Sequence, residues 1–153
     1  MFIIQWKDNK KGIAVIEILI VIAIITITLT SILGLTNFSL KASILAKETT
    51  QAVNLAQEAI EAVRSIRDGN WDKMANGNHG LTNAGGNWDF EGTENIINEF
   101  TRTVLIEGVQ RDANDNIIES GGTSDPDTKK ITATVSWKEK EREIITYLTN
   151  WKQ

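Results

Sequence analysis

Hydrophobic residues form one continuous run near the N-terminus and alternate with polar residues in the rest of the chain. Residues 13–35 form an apolar run in which Glu17 is the only charged residue. A helix over this run rises ~1.5 Å per residue to about 33 Å, enough to cross the ~30 Å hydrocarbon core of a bilayer. The pattern therefore predicts a transmembrane helix over residues 13–35.

Residues 36–68 have a different period. Apolar residues recur at three- and four-residue steps, with charged and amide side chains between them, as on an amphipathic helix. The recurring residues are Leu45, Ala52, Leu55, Ala56, Ala59, Val63 and Ile66. No proline interrupts the segment, and Gly69 follows as a stop signal. We therefore predict one helix from about Ile13 to Arg67, with its second half laid across a globular domain.

Residues 69–99 form a loop rich in glycine and asparagine, a composition that excludes long regular elements. Trp71 and Trp88 are expected to pin this loop onto the domain. A carbohydrate-binding role for these two tryptophans is the less common alternative.

Residues 100–153 show the alternation of β-strands. Phe100–Val109 reads as a strand, residues 111–116 as a turn and 117–119 as a short return; residues 131–137 and 144–148 form a hairpin around a charged turn at 139–142. The predicted fold class is α+β, in which a long N-terminal helix packs on a C-terminal antiparallel β-meander.

One turn has partial metal-ligand spacing. Asp112, Asn114 and Asn116 are spaced like the first ligands of an EF-hand loop, but Ile117 replaces its glycine and Thr123 its bidentate glutamate. A hairpin turn without metal is expected there. Asp125 and Asp127, which flank the single proline, are expected in an exposed loop that also lacks a metal.

Composition narrows the chemistry. The 153 residues have a net charge of −4, contain no cysteine and include one histidine, His79. A thiolate nucleophile, a disulfide and a multi-histidine metal site are therefore excluded, and no nucleophile motif surrounds any serine. The sequence predicts no enzyme, no cofactor and no confident nucleic-acid site.

Glu17 is the anomaly of the apolar run. An acidic side chain inside a membrane helix costs a few kcal/mol, ~2.5–3.5 for the related aspartate, so a partner is expected. Lys7, Lys10 and Lys11 precede the run and favour a cytoplasmic N-terminus, in which case the remainder of the chain faces outward.

The N-terminal residues resemble the class III signal of type IV pilins and pseudopilins. The matching features are a basic leader over residues 1–12 that ends in Gly12, an apolar residue, Ile13, and Glu17 at the fifth position after the glycine. The resemblance implies that a prepilin peptidase cleaves after Gly12 and that Ile13 is N-methylated. Family members more often have phenylalanine at the position of Ile13.

The resemblance also implies a function. It predicts a structural subunit, either a minor pilin or a pseudopilin, of a type IV pilus or a related secretion or DNA-uptake filament. Glu17 would pair with the N-terminus of a neighbouring subunit, and Gly34 lies where pilin helices often carry a helix breaker. Alternatively, the small residues near Gly34 simply allow neighbouring helices to approach. C-terminal segments such as Phe100–Arg102 and Tyr147–Trp151 are similar, more loosely, to minor-pilin-like proteins.

The implied partners are prepilin peptidase, other pilin or pseudopilin subunits, an inner-membrane assembly platform and the lipid bilayer. The expected location is the inner membrane, as a single-pass protein, and then an extracytoplasmic filament or the cell surface. The alternative function is a membrane-anchored extracytoplasmic module that binds glycan or mediates adhesion, with Glu17 incidental.

Overall fold

The computed structural model describes residues 10–151, with side chains from Ala14 onwards. Residues 1–9 of the predicted leader lie outside the described residues, and only the backbone of residues 10–13 is described. The chain divides into two compact units, of which the first ends at Ala46 and the second begins at Lys47.

The predicted helix is present and is slightly longer than expected. Helix α1 runs without interruption over Lys10–Gly69. At its C-terminal end the Asn70 amide donates to the Ile66 carbonyl at 2.9 Å. The side-chain oxygen of Asn70 accepts a hydrogen bond from the Asp72 amide at 2.9 Å, which starts a 3₁₀ turn over Trp71–Lys73. Asn70 therefore terminates one helix and caps the next.

The second unit contains an antiparallel sheet in the order β1-β5-β7-β8, with β4 and β6 also paired to β5, and a separate β2–β3 ribbon. The strands are β1 Gly77–His79, β2 Leu81–Thr82, β3 Asp89–Phe90, β4 Asn95–Ile97, β5 Phe100–Arg111, β6 Ile117–Ile118, β7 Thr123–Trp137 and β8 Lys140–Thr149. A second 3₁₀ turn, Ala84–Gly86, lies between β2 and β3.

An alanine-rich face of α1 packs on the inner face of this sheet, which confirms the α+β prediction. The buried helix residues are Ala52, Ala56, Ala59, Ile60, Ala62, Val63 and Ile66, and the sheet residues in the same clusters include Phe100, Val104, Ile106, Ile131, Ala133, Val135 and Trp137. Small side chains on the helix let it approach the sheet closely. Leu45 does not belong to this face, because it lies in the first unit and is 42% exposed.

The exposed loop expected around Pro126 is instead part of β7, which begins at Thr123. Along β5, Gly108 pairs with Lys129 while the next residue, Val109, pairs with Asp125. Residues 126–128 therefore form a bulge on the β5 side of the strand. Because proline has no amide hydrogen to donate to the sheet, a bulge is one of the few strand positions that it tolerates.

The charged turn expected at residues 139–142 is shorter than predicted. Trp137 pairs with Lys140, so the turn consists of Lys138 and Glu139, and Lys138 has a positive φ of 52°. Its ammonium group forms an ion pair with Glu48 of α1, and the Trp137 indole N–H donates to the same carboxylate at 3.2 Å. The hydrogen bond from Lys138 lowers the pKa of Glu48 below its ordinary value. The hairpin is thus fastened to the helix.

Arg102 links three elements of the second unit. Its side chain is 2% exposed and donates to Glu58 of α1 at 3.0 Å and to Asn95 of β4 at 3.2 Å. The guanidinium also lies 5.8 Å from the ring centroid of Trp88, next to β3. A buried guanidinium is tolerated only where several such partners replace its hydration.

We expect Arg102→Met to lower the free energy of unfolding by about 3 kcal/mol, because it removes the buried charge and leaves its partners unpaired. The measurement is urea denaturation of the full chain in detergent, with tryptophan fluorescence as the signal that monitors unfolding. Arg142→Met is the matched control: Arg142 is exposed and donates to the adjacent Glu141 carbonyl, so a change below about 0.5 kcal/mol is expected. Equal losses for the two variants would contradict a linking role for Arg102.

A second charged contact joins the far ends of β5 and β7. Arg111 Nε lies 2.7 Å from Asp125 Oδ2, and Arg111 Nη2 donates to Thr128 at 3.2 Å within the bulge. The hydrogen bond from Arg111 is the main cause of a pKa of Asp125 below its ordinary value. The folded protein therefore holds this carboxyl group more readily in its ionised form than the unfolded chain does.

This difference predicts a loss of stability in acid. The unfolded chain takes up a proton on Asp125 near its ordinary pKa of ~3.9, while the folded chain does so only at lower pH. The contribution of Asp125 is thus fully present above that value and is lost as the pH falls through the lowered pKa. We expect the stability difference between wild type and Asp125→Asn, measured by urea denaturation, to be constant from about pH 5 to 7 and to shrink below about pH 4.

Asp72→Asn is the matched control, because Asp72 makes no ion pair within residues 10–151. A stability difference between wild type and Asp125→Asn that stays the same down to pH 2 would show that the ionised carboxylate of Asp125 contributes nothing to folding.

Candidate functional site

The described residues of the first unit form a helix whose apolar side chains are uncovered on every side from Ala14 onwards. From Val15 to Leu45 the large hydrophobic side chains are between 42% and 71% exposed, and no residue in the most apolar window is buried. The core helix of a soluble domain would instead be largely buried. This helix is long and apolar enough to be a single membrane span, which agrees with the predicted transmembrane segment.

The hydroxyl groups of the run are satisfied by the helix itself. The side chains of Thr26, Thr28, Thr30, Ser31 and Thr36 each donate to a carbonyl three or four residues earlier, at distances of 2.8 to 3.0 Å. Because lipid offers no hydrogen-bond partner, this arrangement removes the main cost of placing hydroxyl groups in a membrane. These residues therefore leave the predicted span intact.

Glu17 remains as the polar group that the helix does not satisfy. Its side chain is exposed, and within the described part of the chain it has no hydrogen-bond or ion-pair partner. Ile13 precedes it by four residues, which is one helical turn of about 5.4 Å. A free amine at Ile13 and the Glu17 carboxylate would therefore lie on the same side of a helix, one turn apart.

The bond between Gly12 and Ile13 lies inside the backbone of α1, whose first residue is Lys10. Gly34 also lies within the uninterrupted helix, and a β-carbon added there would meet no atom within 4 Å. The proposed loosening of the helix at Gly34 therefore stays a prediction about the assembled state. The open space around Gly34 is equally available to a neighbouring helix.

The loop tryptophans differ in their surroundings. Trp71 and Trp88 are both half-buried and pack against the larger core cluster, as predicted for residues that pin the loop. Trp88 also lines a cleft of about 320 Å³ at the C-terminal end of α1, whereas Trp71 does not. Three polar residues of this cleft, Ser65, Asn70 and Asn87, were not singled out in the sequence, because their spacing follows no motif.

The remaining candidate residues have structural contacts. His79 Nε2 lies 2.8 Å from the Ala75 carbonyl, and its ring centroid is 4.6 Å from that of Phe90. The Asp112 carboxylate accepts the amides of Asn114 and Asn116 at 2.8 and 2.9 Å. Asp112 therefore closes the β5–β6 turn, in agreement with the predicted hairpin. No metal-binding group of three or more histidine, cysteine or acidic residues occurs among the residues described.

Comparisons of the chain with protein-family models, with curated proteins and with solved structures found no match.

Proposed function

We propose that the protein is a structural subunit, a minor pilin or a pseudopilin, of a type IV pilus or a related secretion or DNA-uptake filament. The observation that carries this proposal is the first unit: an apolar helix, uncovered on all sides, whose only charged residue between positions 13 and 35 is Glu17. The compact α+β unit that follows supports it, since a filament subunit needs a folded domain joined to its assembly helix. The protein acts by assembly and performs no catalysis.

In this proposal the apolar helix is covered first by lipid and later by protein. In the precursor the bilayer covers residues 13–35. In the filament, helices of other subunits cover them. Because the apolar side chains point in all directions, a single neighbour would leave part of the surface uncovered, and a bundle of several helices fits better.

Maturation supplies the partner that Glu17 lacks. Cleavage after Gly12 by a prepilin peptidase frees the amine of Ile13, whose methylation preserves its positive charge. The Glu17 carboxylate then pairs with this amine or with that of a neighbouring subunit. In a low-dielectric bundle a lone charge is strongly unfavourable, so correct docking is coupled to leaving the membrane. The assembly platform of the inner membrane would drive this transfer.

A membrane-anchored binding module is the second candidate. The cleft beside Trp88 favours it, because half-buried aromatic rings next to polar groups are common in ligand sites. In this alternative the chain keeps its leader, stays in the membrane as a monomer, and Glu17 has no role in assembly. Processing of the N-terminus distinguishes the two candidates.

The first test is the N-terminal sequence and intact mass of the protein from membranes or sheared filaments of cells that have the cognate export machinery. We expect a chain that begins at Ile13 and carries one added methyl group. A chain that keeps its leader in the presence of active peptidase would contradict the filament proposal and favour the anchored module.

The second test is Glu17→Val. The variant should be inserted and cleaved normally, because an apolar residue improves the span and the peptidase site is unchanged. Its incorporation into filaments should fall at least about tenfold, because the new N-terminal amine is left without its counter-ion. Quantitative immunoblotting of sheared filaments and of membranes measures both steps.

Ile24→Val is the matched control, since it alters an exposed apolar residue of the same helix and leaves the charge in place. Glu17→Asp should be incorporated into filaments better than Glu17→Val, because it retains the carboxylate. Normal assembly of Glu17→Val would remove the proposed role of this residue.

A further inference from the structure

The cleft at the C-terminal end of α1 lies wholly within the second unit and takes no part in the proposed assembly. Its volume is about 320 Å³. The residues that line it come from the last turns of the helix, from the 3₁₀ turn that follows, and from the segment before β3: Ser65, Ile66, Gly69, Asn70, Lys73, Asn87 and Trp88. The space is sufficient for one six-membered sugar ring but not for a large cofactor.

The apolar residues that line the cleft are held in place. Ile66 belongs to the larger core cluster and is 4% exposed, and Trp88 packs against the same cluster. Arg102, which does not line the cleft, lies near the Trp88 ring and holds it further. The Trp88 side chain is therefore held in the lining before a ligand arrives, which lowers the entropic cost of binding.

The polar residues of the lining carry hydrogen-bond groups that the protein does not use. Within residues 10–151 the side chains of Ser65 and Asn87 make no hydrogen bond, and Asn70 uses only its oxygen, leaving its NH₂ group unused. The Trp88 indole N–H is also unpaired and is not buried from solvent. By contrast, the indole N–H groups of Trp137 and Trp151 donate to Glu48 and Asp68.

The charged residues around the cleft argue against an anionic ligand. Lys73 is the one cation in its lining, and its ammonium lies 2.6 Å from the carboxylate of Asp89. The pair is close to neutral. A phosphate or carboxylate ligand would have to compete with Asp89, whereas an uncharged ligand would leave the pair intact.

We propose that this cleft binds an uncharged saccharide, with one pyranose ring stacked on Trp88. The apolar C–H face of such a ring matches the indole and Ile66, and its hydroxyl groups match the unused groups of Ser65, Asn70 and Asn87. This function is additional to filament assembly and does not depend on it, because none of these residues lies in the apolar run.

The test uses the ¹⁵N-labelled full chain in a detergent without a sugar headgroup, titrated with D-glucose, D-galactose and N-acetyl-D-glucosamine in turn. We expect the Trp88 indole N–H resonance to shift saturably with at least one of them, with a Kd of about 1–10 mM, as suits so small a ligand. The Trp137 resonance should not move. Inorganic phosphate should leave the Trp88 resonance unchanged.

Asn87→Ala should weaken binding about 3- to 10-fold, the effect of one lost hydrogen bond, and it keeps the Trp88 reporter and its packing. Asn83→Ala is the matched control, because Asn83 lies in the same loop, its side chain makes no capping hydrogen bond, and it does not line the cleft. The proposal is overturned if no sugar shifts the Trp88 resonance, if phosphate shifts it instead, or if both variants bind like wild type.

Discussion

The second unit depends on the contact between the alanine-rich face of α1 and the inner face of the sheet. The sheet is a single layer, and among residues 10–151 its buried side chains are covered by the helix and the loop of residues 70–99. Ala52, Ala56 and Ala59 are fully buried, which brings the helix backbone close to strands whose own side chains fill the core. The unit has no cysteine, so packing rather than a disulfide must hold these two layers together.

Three carboxylates of the helix direct this packing. Glu48, Glu58 and Asp68 follow each other at intervals of ten residues, and each accepts hydrogen bonds from the C-terminal half of the chain. Their partners are the β7–β8 hairpin for Glu48, Arg102 of β5 for Glu58 and the C-terminal Trp151 for Asp68. Apolar contacts alone would tolerate small shifts of the helix along the sheet. These polar contacts select one register.

The sequence predicted those features that depend on local periodicity. The helix was expected from Ile13 to Arg67 and extends from Lys10 to Gly69, because its signals are a three-to-four residue repeat and a glycine stop. The strand at β5 and the hairpin of β7 and β8 were found from their alternation. A membrane-compatible first half was equally evident, since it needs only composition and length.

The errors and omissions concern contacts between distant residues. The sequence predicts an exposed loop around Pro126, but the bulge opposite Gly108 and Val109 accommodates this proline within β7. In the sequence Arg102 is one residue of an alternating strand, whereas in the structure its burial against Glu58 makes it a link between layers. The cleft beside Trp88 was likewise not predictable, since Ser65 and Asn87 come together only after the loop folds back on the helix end.

The free edge of the sheet bears on how copies of the protein associate. Strand β8 is an edge strand, and unpaired edges tend to join with those of other copies. Its first four residues are exposed and alternate in charge: Lys140, Glu141, Arg142 and Glu143. In a two-fold antiparallel pairing, opposed residues point to the same face, so they are separated by an even number of positions. Within these four residues a basic side chain would then always face a basic one, and a glutamate would face a glutamate.

Pairing of these segments across a two-fold axis is therefore opposed by repulsion between like charges. In the proposed filament, this repulsion would discourage association of subunits through sheet edges, a mode that would compete with assembly through the helix. The apolar side chains of residues 14–35 are uncovered and offer a different surface for contacts between copies. If the protein assembles as proposed, the charge pattern of β8 and the apolar pattern of α1 act in the same direction, since the first opposes pairing of sheet edges and the second favours contacts between helices.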